Sequence, residues 1–130
     1  MKFALVVEGS PYGSAAAVSA LQFAEAALAA GHDIYRVFFY HDGVYVGSAL
    51  AEPPQDELPI YQRWQALHKE RGVDLVICIA SALRRGMLDA AEADRYEKSG
   101  SNVDQSFVIS GLGQLIDAGL NADRLVTFAA

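Results

Sequence analysis

The chain holds one cysteine, Cys78, at the end of the apolar run Val73-Asp74-Leu75-Val76-Ile77-Cys78-Ile79. The segment that follows, Ala80-Ser81-Ala82-Leu83-Arg84-Arg85, reads as a short helical turn closed by Gly86. A thiol at the end of a strand and just before a helix sits where free backbone N–H groups and the helix dipole favour a thiolate. Arg84 and Arg85, one to two turns further on, could add positive charge. Such a thiolate attacks persulfide or disulfide sulfur and can carry sulfane sulfur between partners. From pattern alone the residues favour a second reading. A free cysteine packs as a small hydrophobe, and Leu75, Val76, Ile77 and Ile79 are the neighbours a core cysteine would have.

Two further stretches could meet a ligand. Gly9-Ser10-Pro11-Tyr12-Gly13 lies between the first strand and the first helix, where phosphate-binding turns lie, but it has neither G-x-G-x-x-G nor G-x-x-x-x-G-K-[ST]. A flavodoxin-like nucleotide or flavin binder is therefore a weakly supported alternative, and an ordinary connecting loop explains the same residues. Ser110-Gly111-Leu112-Gly113 could let backbone approach a ligand, or could simply start a helix. His32, His41 and His68 have no metal-binding spacing and read as structural. No Ser-His-Asp arrangement or carboxylate pair stands out.

The elements that must position these residues follow from hydrophobic patterning. Strands are expected over residues 3–7, 34–40, 73–79, 107–109 and 124–128. Helices are expected over 15–30, 57–71 and 89–97, with Ser14 and Asp89 as N-caps and Gly31 and Gly72 as stops. A last helix opens at Ser110-Gly111, with Leu112, Leu115, Ile116, Gly119 and Leu120 on one face. Residues 44–55 read as a long loop, whose Val44, Tyr45, Val46 and Leu50 suggest a flap packed on this domain or on a neighbouring subunit. Phe23 falls opposite the apolar stripe of the first long helix, which hints at a subunit contact. Strands alternate with helices throughout, so the expected fold is one three-layer α/β/α domain over residues 1–130, with a mostly parallel sheet of about five strands. In such a sheet, sites lie at the carboxyl ends of the strands. Cys78 and both glycine-containing loops fall on that edge.

Composition narrows the function classes. Hydrophobic residues make up 52% of the 130 residues, charged residues 20%, and the formal net charge is −6. The acidic balance argues against unaided binding of nucleic acid, which relies on Lys and Arg neutralising phosphates. A single cysteine cannot close an internal disulfide, which fits a reducing, cytoplasmic setting. The short apolar start, Phe3 to Val7, runs into Glu8 and Gly9 without the pattern of a signal peptide, and no apolar run approaches a membrane span.

Several segments together resemble a known family. They are Phe3-Ala4-Leu5-Val6-Val7 with Tyr12-Gly13, Gln22-Phe23-Ala24, Gly31-His32, Val37-Phe38-Phe39-Tyr40 and Asp42-Gly43-Val44-Tyr45, then Ile77-Cys78-Ile79-Ala80 with Ala82-Leu83-Arg84-Arg85-Gly86, and Ser110-Gly111-Leu112-Gly113. In order and spacing they are similar to the DsrE family of sulfurtransferases, nearly end to end. The resemblance implies the three-layer α/β fold. It implies that Cys78 is the catalytic residue and carries sulfur as a persulfide, with no cofactor or metal. It implies an assembly with TusB-like and TusC-like subunits as a dimer of heterotrimers. The sulfur would come from a TusA-like donor and go to a TusE-like acceptor, for 2-thiolation of the tRNA wobble uridine. Related DsrE–DsrF–DsrH proteins of the same fold serve sulfur oxidation, so that role, or a non-catalytic assembly role, is the alternative. Glu52-Pro53-Pro54-Gln55-Asp56 matches no part of the family pattern.

Overall fold

The structure, a computed structural model, describes residues 1–130. Five strands, β1 (Lys2–Val7), β2 (Asp33–Phe39), β3 (Asp74–Cys78), β4 (Phe107–Ser110) and β5 (Arg124–Phe128), form one sheet in the order β4-β3-β2-β1-β5. Every pair is parallel. The helices are α1 (Ala15–Ala29), α2 (Ile60–Arg71), α3 (Ile79–Arg84), α4 (Ala90–Arg95) and α5 (Gly113–Asn121). The expected three-layer α/β architecture is the one observed.

The topology decides which helix covers which face. From β1 to β4 the chain steps in one direction across the sheet, and from β4 it jumps back over three strands to β5. Right-handed crossovers then place α1 and α2 on one face and α5 on the other. Side-chain contacts agree. The Phe39 ring meets Trp64 of α2 at 5.4 Å, while Arg36, of opposite parity in the same strand, reaches Asp117 of α5 at 2.8 Å. The α2 face carries most of the apolar mass. Phe39 also meets Phe107 at 5.8 Å, Phe107 stacks on Tyr61 at 5.9 Å, and Trp64, Ile60, Leu75 and Ile77 are buried. Ion pairing between Glu25 and Arg63 ties α1 to α2.

Local rules explain the boundaries. Ser14 caps α1, its hydroxyl accepting from the Ala16 N–H at 3.2 Å, and Gly31 stops it at φ +87. Asp89 caps α4, accepting from the Glu92 N–H at 2.9 Å. The third strand ends at Cys78, one residue earlier than the pattern suggests, because α3 begins at Ile79 with no intervening loop. The last helix begins at Gly113, since β4 runs on through Ser110.

Two expectations change. The segment expected to be loop from residue 44 begins instead as a 3-10 helix, His41–Gly47. Val44 and Val46 join the core of this same chain, whereas Tyr45 and Leu50 stay exposed. Gly43 makes that packing possible. A Cβ at this position would collide with the Val7 carbonyl, so only glycine lets the turn lie against β1. Phe23 is the second correction. It is half-buried, with its ring 5.2 Å from Phe3 and 5.7 Å from Phe128. A helical wheel does not register β5, which returns beside β1 and puts Phe128 under the flank of α1.

The α5 face is held by charge as well as by apolar contact. A register shift between Phe3 and Ala4 makes Tyr35 an extra residue in β2. Tyr35 and Arg36 therefore both reach Asp117. The phenol donates to Asp117 at 2.8 Å, and Arg36 donates to Asp74 at 2.7 Å, to Asp117 at 2.8 Å and to the Gln114 carbonyl at 2.8 Å. The hydrogen bonds from Tyr35 and Arg36 hold the Asp117 carboxyl below the usual range. Burial alone would lower the Arg36 guanidinium, but its bonds to Asp74 and Asp117 outweigh that and raise it.

Candidate functional site at the carboxyl edge of the sheet

After the shift between Phe3 and Ala4, the strand ladders keep a regular register up to the carboxyl edge. Val7 pairs with Phe39, Phe39 with Ile77, and Cys78 with Ser110. Beyond Val7 and Phe39, the Tyr40 N–H donates to the Val7 carbonyl at 2.9 Å and the Glu8 N–H to the Phe128 carbonyl at 3.0 Å. Side chains alternate between faces along a strand. Asp74, Val76 and Cys78 therefore share the α5 face, as do Arg36, Phe38 and Tyr40; the Phe38 and Tyr40 rings lie 6.0 Å apart. The result is a row on one face, Glu8, Tyr40, Cys78 and Ser110, one residue from each of four neighbouring strand ends. Adjacent members are about 5 Å apart along the backbone. Cys78 is the only cysteine in the chain, and its partner in the β3–β4 register is Ser110.

The thiol is free and only 2% of the residue is exposed. Cys78 occupies the N-cap position of α3 in an extended conformation (φ −60, ψ 122), and its side chain caps none of the helix amides. Support from the helix end is therefore limited to the proximity of one short turn. The chain opposite leaves the sheet through Ser110 and Gly111. A Cβ at Gly111 would meet open space.

The two arginines separate. Arg84 is exposed and forms no ion pair or hydrogen bond. Arg85 is engaged elsewhere: its Nε donates to Asp42 at 2.8 Å and its Nη1 to the Ser81 carbonyl at 3.2 Å. Asp42 belongs to the turn after β2, and its neighbour His41 is also held there. The His41 N–H donates to the buried Ser81 hydroxyl at 3.1 Å, its ring stacks on Tyr40 at 4.0 Å, and its Nε2 lies 3.8 Å from Glu8. His41 adopts φ +49, in the left-handed region that a side chain disfavours. From the sequence, His41 reads as a structural histidine and Asp42-Gly43 as part of the family resemblance, with no contact to the segment after Cys78. The available signal was a His-Asp pair directly after a strand, near the same sheet edge as Ser81 and Arg85.

The remaining candidates have structural partners. Tyr12 donates to the Leu58 carbonyl at 2.9 Å, and a groove of about 460 Å³ beside it is lined by Pro11, Tyr12, Ser14, Val18 and Leu58. Ser14 caps α1 and is not free to meet a ligand. His32 Nδ1 pairs with the Met1 amino group at 3.0 Å, and His68 Nδ1 with the Val73 carbonyl at 2.9 Å. No helix is long and apolar enough to cross a membrane.

The fold and the edge define a class: three-layer parallel α/β proteins presenting one cysteine at the junction of a strand and a short helix. Comparison with known proteins makes the assignment particular. Residues 1–128 match the DsrE/DsrF-like family, and the chain belongs to it. It is 52% identical to DsrE of Allochromatium vinosum over 98% of both chains. It is 50% identical to the sulfurtransferase TusD of Enterobacter sp. (strain 638), over 98% of this chain and all of that one. Among solved structures, the ychN protein of E. coli superposes with a TM-score of 0.79 at 25% identity, covering 98% of each chain.

Proposed function

We propose that this chain is a cytoplasmic sulfur-relay subunit in which Cys78 carries sulfane sulfur as a persulfide. The observation that carries the reading is the position of the sole cysteine at the β3–α3 junction, in a family whose relative TusD is named a sulfurtransferase. In the first step the Cys78 thiolate attacks the outer sulfur of a persulfide on a TusA-like donor. A Cys78–sulfur bond forms, the donor's sulfur–sulfur bond breaks, and the donor leaves as a thiolate. In the second step a thiolate on a TusE-like acceptor takes the same outer sulfur and returns Cys78 to its thiolate. No net oxidation occurs, and neither step calls for a metal or cofactor. The sulfur is destined for 2-thiolation of the tRNA wobble uridine, and the acidic chain itself does not hold the tRNA.

The chain acts with TusB-like and TusC-like subunits. An unpartnered apolar stripe supports this: Leu112, Ile116 and Leu120, four residues apart on α5, are 49%, 64% and 81% exposed. A specific observation keeps the sulfur-oxidation role as the second reading, since identity to DsrE and to TusD is nearly equal.

Intact mass spectrometry tests the reading. After incubation with a persulfide donor, the wild-type chain gains the mass of one sulfur atom, and a TusE-like acceptor or a reductant removes it. Cys78→Ser folds but neither gains nor passes sulfur. A Cys78→Ser chain that supports transfer at the wild-type rate would refute the proposal.

A further inference from the structure

The geometry points to a latch that positions Cys78: the pair His41–Asp42, in the turn after β2, grips Ser81 of α3 and Arg85, the residue that caps its carboxyl end. Arg85 thereby acts as a positioning residue through Asp42, and not as a counter-ion to the thiolate. This inference rests on Cys78 being the sulfur carrier.

Four observations carry it. Ser81 and Arg85 are one helical turn apart and are gripped by consecutive residues of a single turn. The His41 N–H donates to Ser81 Oγ at 3.1 Å, and Asp42 accepts from Arg85 Nε at 2.8 Å. Arg85 Nη1 also donates to the Ser81 carbonyl at 3.2 Å, which joins the two grips into one unit. The gripping turn cannot easily retreat. Tyr40 donates to the Val7 carbonyl, the Gly43 N–H donates to the Tyr40 carbonyl at 2.9 Å, and Gly43 lies hard against Val7. Finally, His41 is held at φ +49, a strained conformation for a residue with a side chain. Such strain persists where surrounding contacts over-determine it, and it concentrates at functional sites.

The consequence falls on Cys78 because it is the hinge. It is the last residue of β3, and α3 begins at the next residue without a loop. Any tilt of the six-residue helix therefore turns the backbone at Cys78 and with it the direction of the thiol. With α3 latched, the thiol is held in one orientation. The titratable groups facing this corner are Glu8 and His41, from the ends of the first two strands, and Asp42 and Arg85 of the latch itself.

Sulfur loading of the full-length chain by glutathione persulfide, and alkylation of Cys78 by iodoacetamide across pH, test the latch. Asp42→Ala and Arg85→Ala are each expected to slow loading by about tenfold, since a small misplacement of a reacting group is costly. The double variant is expected to be no slower than Arg85→Ala alone, because Asp42 acts only through Arg85. The pH midpoint of alkylation stays where it is in all three. If Arg85 were instead a counter-ion, Asp42→Ala would free it and speed loading, while Arg85→Ala alone would move the midpoint upward. Opposite effects of this kind, additive losses, or wild-type rates in both single variants overturn the latch. Urea midpoints confirm that the variants compared are folded; Asp42→Ala, at an exposed turn position, serves should Arg85→Ala not fold. A wild-type chain that gains no sulfur defeats the relay itself. A wild-type chain that loads, with variants that load equally fast, defeats the latch alone.

Discussion

The chain carries two sets of charges, one in the amino half of the sheet and one beyond its carboxyl edge, and they are built differently. In the amino half, Arg36 is 12% exposed at its side chain and bonds two carboxylates and a carbonyl, with Tyr35 completing the group. At the carboxyl edge, Asp42 and Arg85 form one pair whose carboxylate is 58% exposed. The first group joins three elements that share no loop: β2, β3 and α5. The second joins one turn to one short helix next to the thiol. A satisfied group around a buried guanidinium is difficult to rearrange, because any partner removed leaves a charge without compensation. A single solvated pair contributes little to stability and can still fix a local orientation. The chain thus places its firm electrostatic bonds where nothing needs to react, and its light one beside the cysteine.

Removing the firm bond has the largest expected effect. Arg36→Ala leaves Asp74 and Asp117 without their shared cation and removes two of the hydrogen bonds that tie α5 to the sheet. Breaking a buried pair costs about 3 kcal/mol or more; with two half-exposed carboxylates here, about 2 kcal/mol is the expected loss. Urea denaturation measures it. The rate at which the folded variant takes up sulfur on Cys78 should be close to wild type. A destabilisation within about 0.5 kcal/mol of zero would mean that the two regions do not differ in this way.

How much of this contrast could be read in the sequence differs between its parts. The sheet was legible, because β-branched runs such as Leu75-Val76-Ile77 and glycine stops such as Gly31 and Gly72 are local signals. The place of Cys78 at a strand end was legible for the same reason. The brace was not, since Arg36, Asp74 and Asp117 are far apart in the chain and meet only through the crossover to β5 and the extra residue at Tyr35. It also sets the rotation of α5. Periodicity showed an apolar face on this helix, but Asp117 anchors it so that Leu115 and Ala118 turn inward while Ile116 and Leu120 face out. Arg84 and Arg85 looked alike in sequence and differ in structure, because only Arg85 lies within reach of Asp42.

Acid should separate the two regions by a smaller margin. Hydrogen bonds from Tyr35 and Arg36 hold the folded-state pKa of Asp117 below its unfolded value. At Asp104, burial works the other way, but bonds from Ser106, Tyr61 and Gln65 outweigh it and again lower the pKa. A carboxyl whose pKa is depressed on folding contributes stability that is complete above the unfolded value, near pH 4, and is lost as pH falls through the folded one. Stability should therefore drop below about pH 4, and Asp117→Asn should flatten that acid limb. At the other extreme, burial, aided by Asp104, pushes Tyr61 up to about 12. Its contribution is complete below the unfolded value, near pH 10, and disappears as pH rises toward the folded one. Urea midpoints measured across both limbs check the signs. An acid limb that Asp117→Asn leaves unchanged would remove the brace from the account of pH dependence.

The smallest expected effect is the most pointed test of the carboxyl edge. Arg84 and Arg85 are adjacent, carry the same charge, and sit at similar chain distances from Cys78. If their role were to bathe the thiol in positive potential, replacing either would matter, and by similar amounts. Arg84 is exposed and has no bonded partner, so Arg84→Ala should change stability by less than about 0.5 kcal/mol. It should also leave both the rate of sulfur loading and the pH midpoint of Cys78 alkylation at wild-type values, under conditions in which Arg85→Ala is slowed. Raising ionic strength should likewise affect the two chains equally, because screening weakens a diffuse field and leaves a hydrogen-bonded grip largely in place. Equal losses from Arg84→Ala and Arg85→Ala would show that charge near the thiol, and not contact with Asp42, is what the arginines provide.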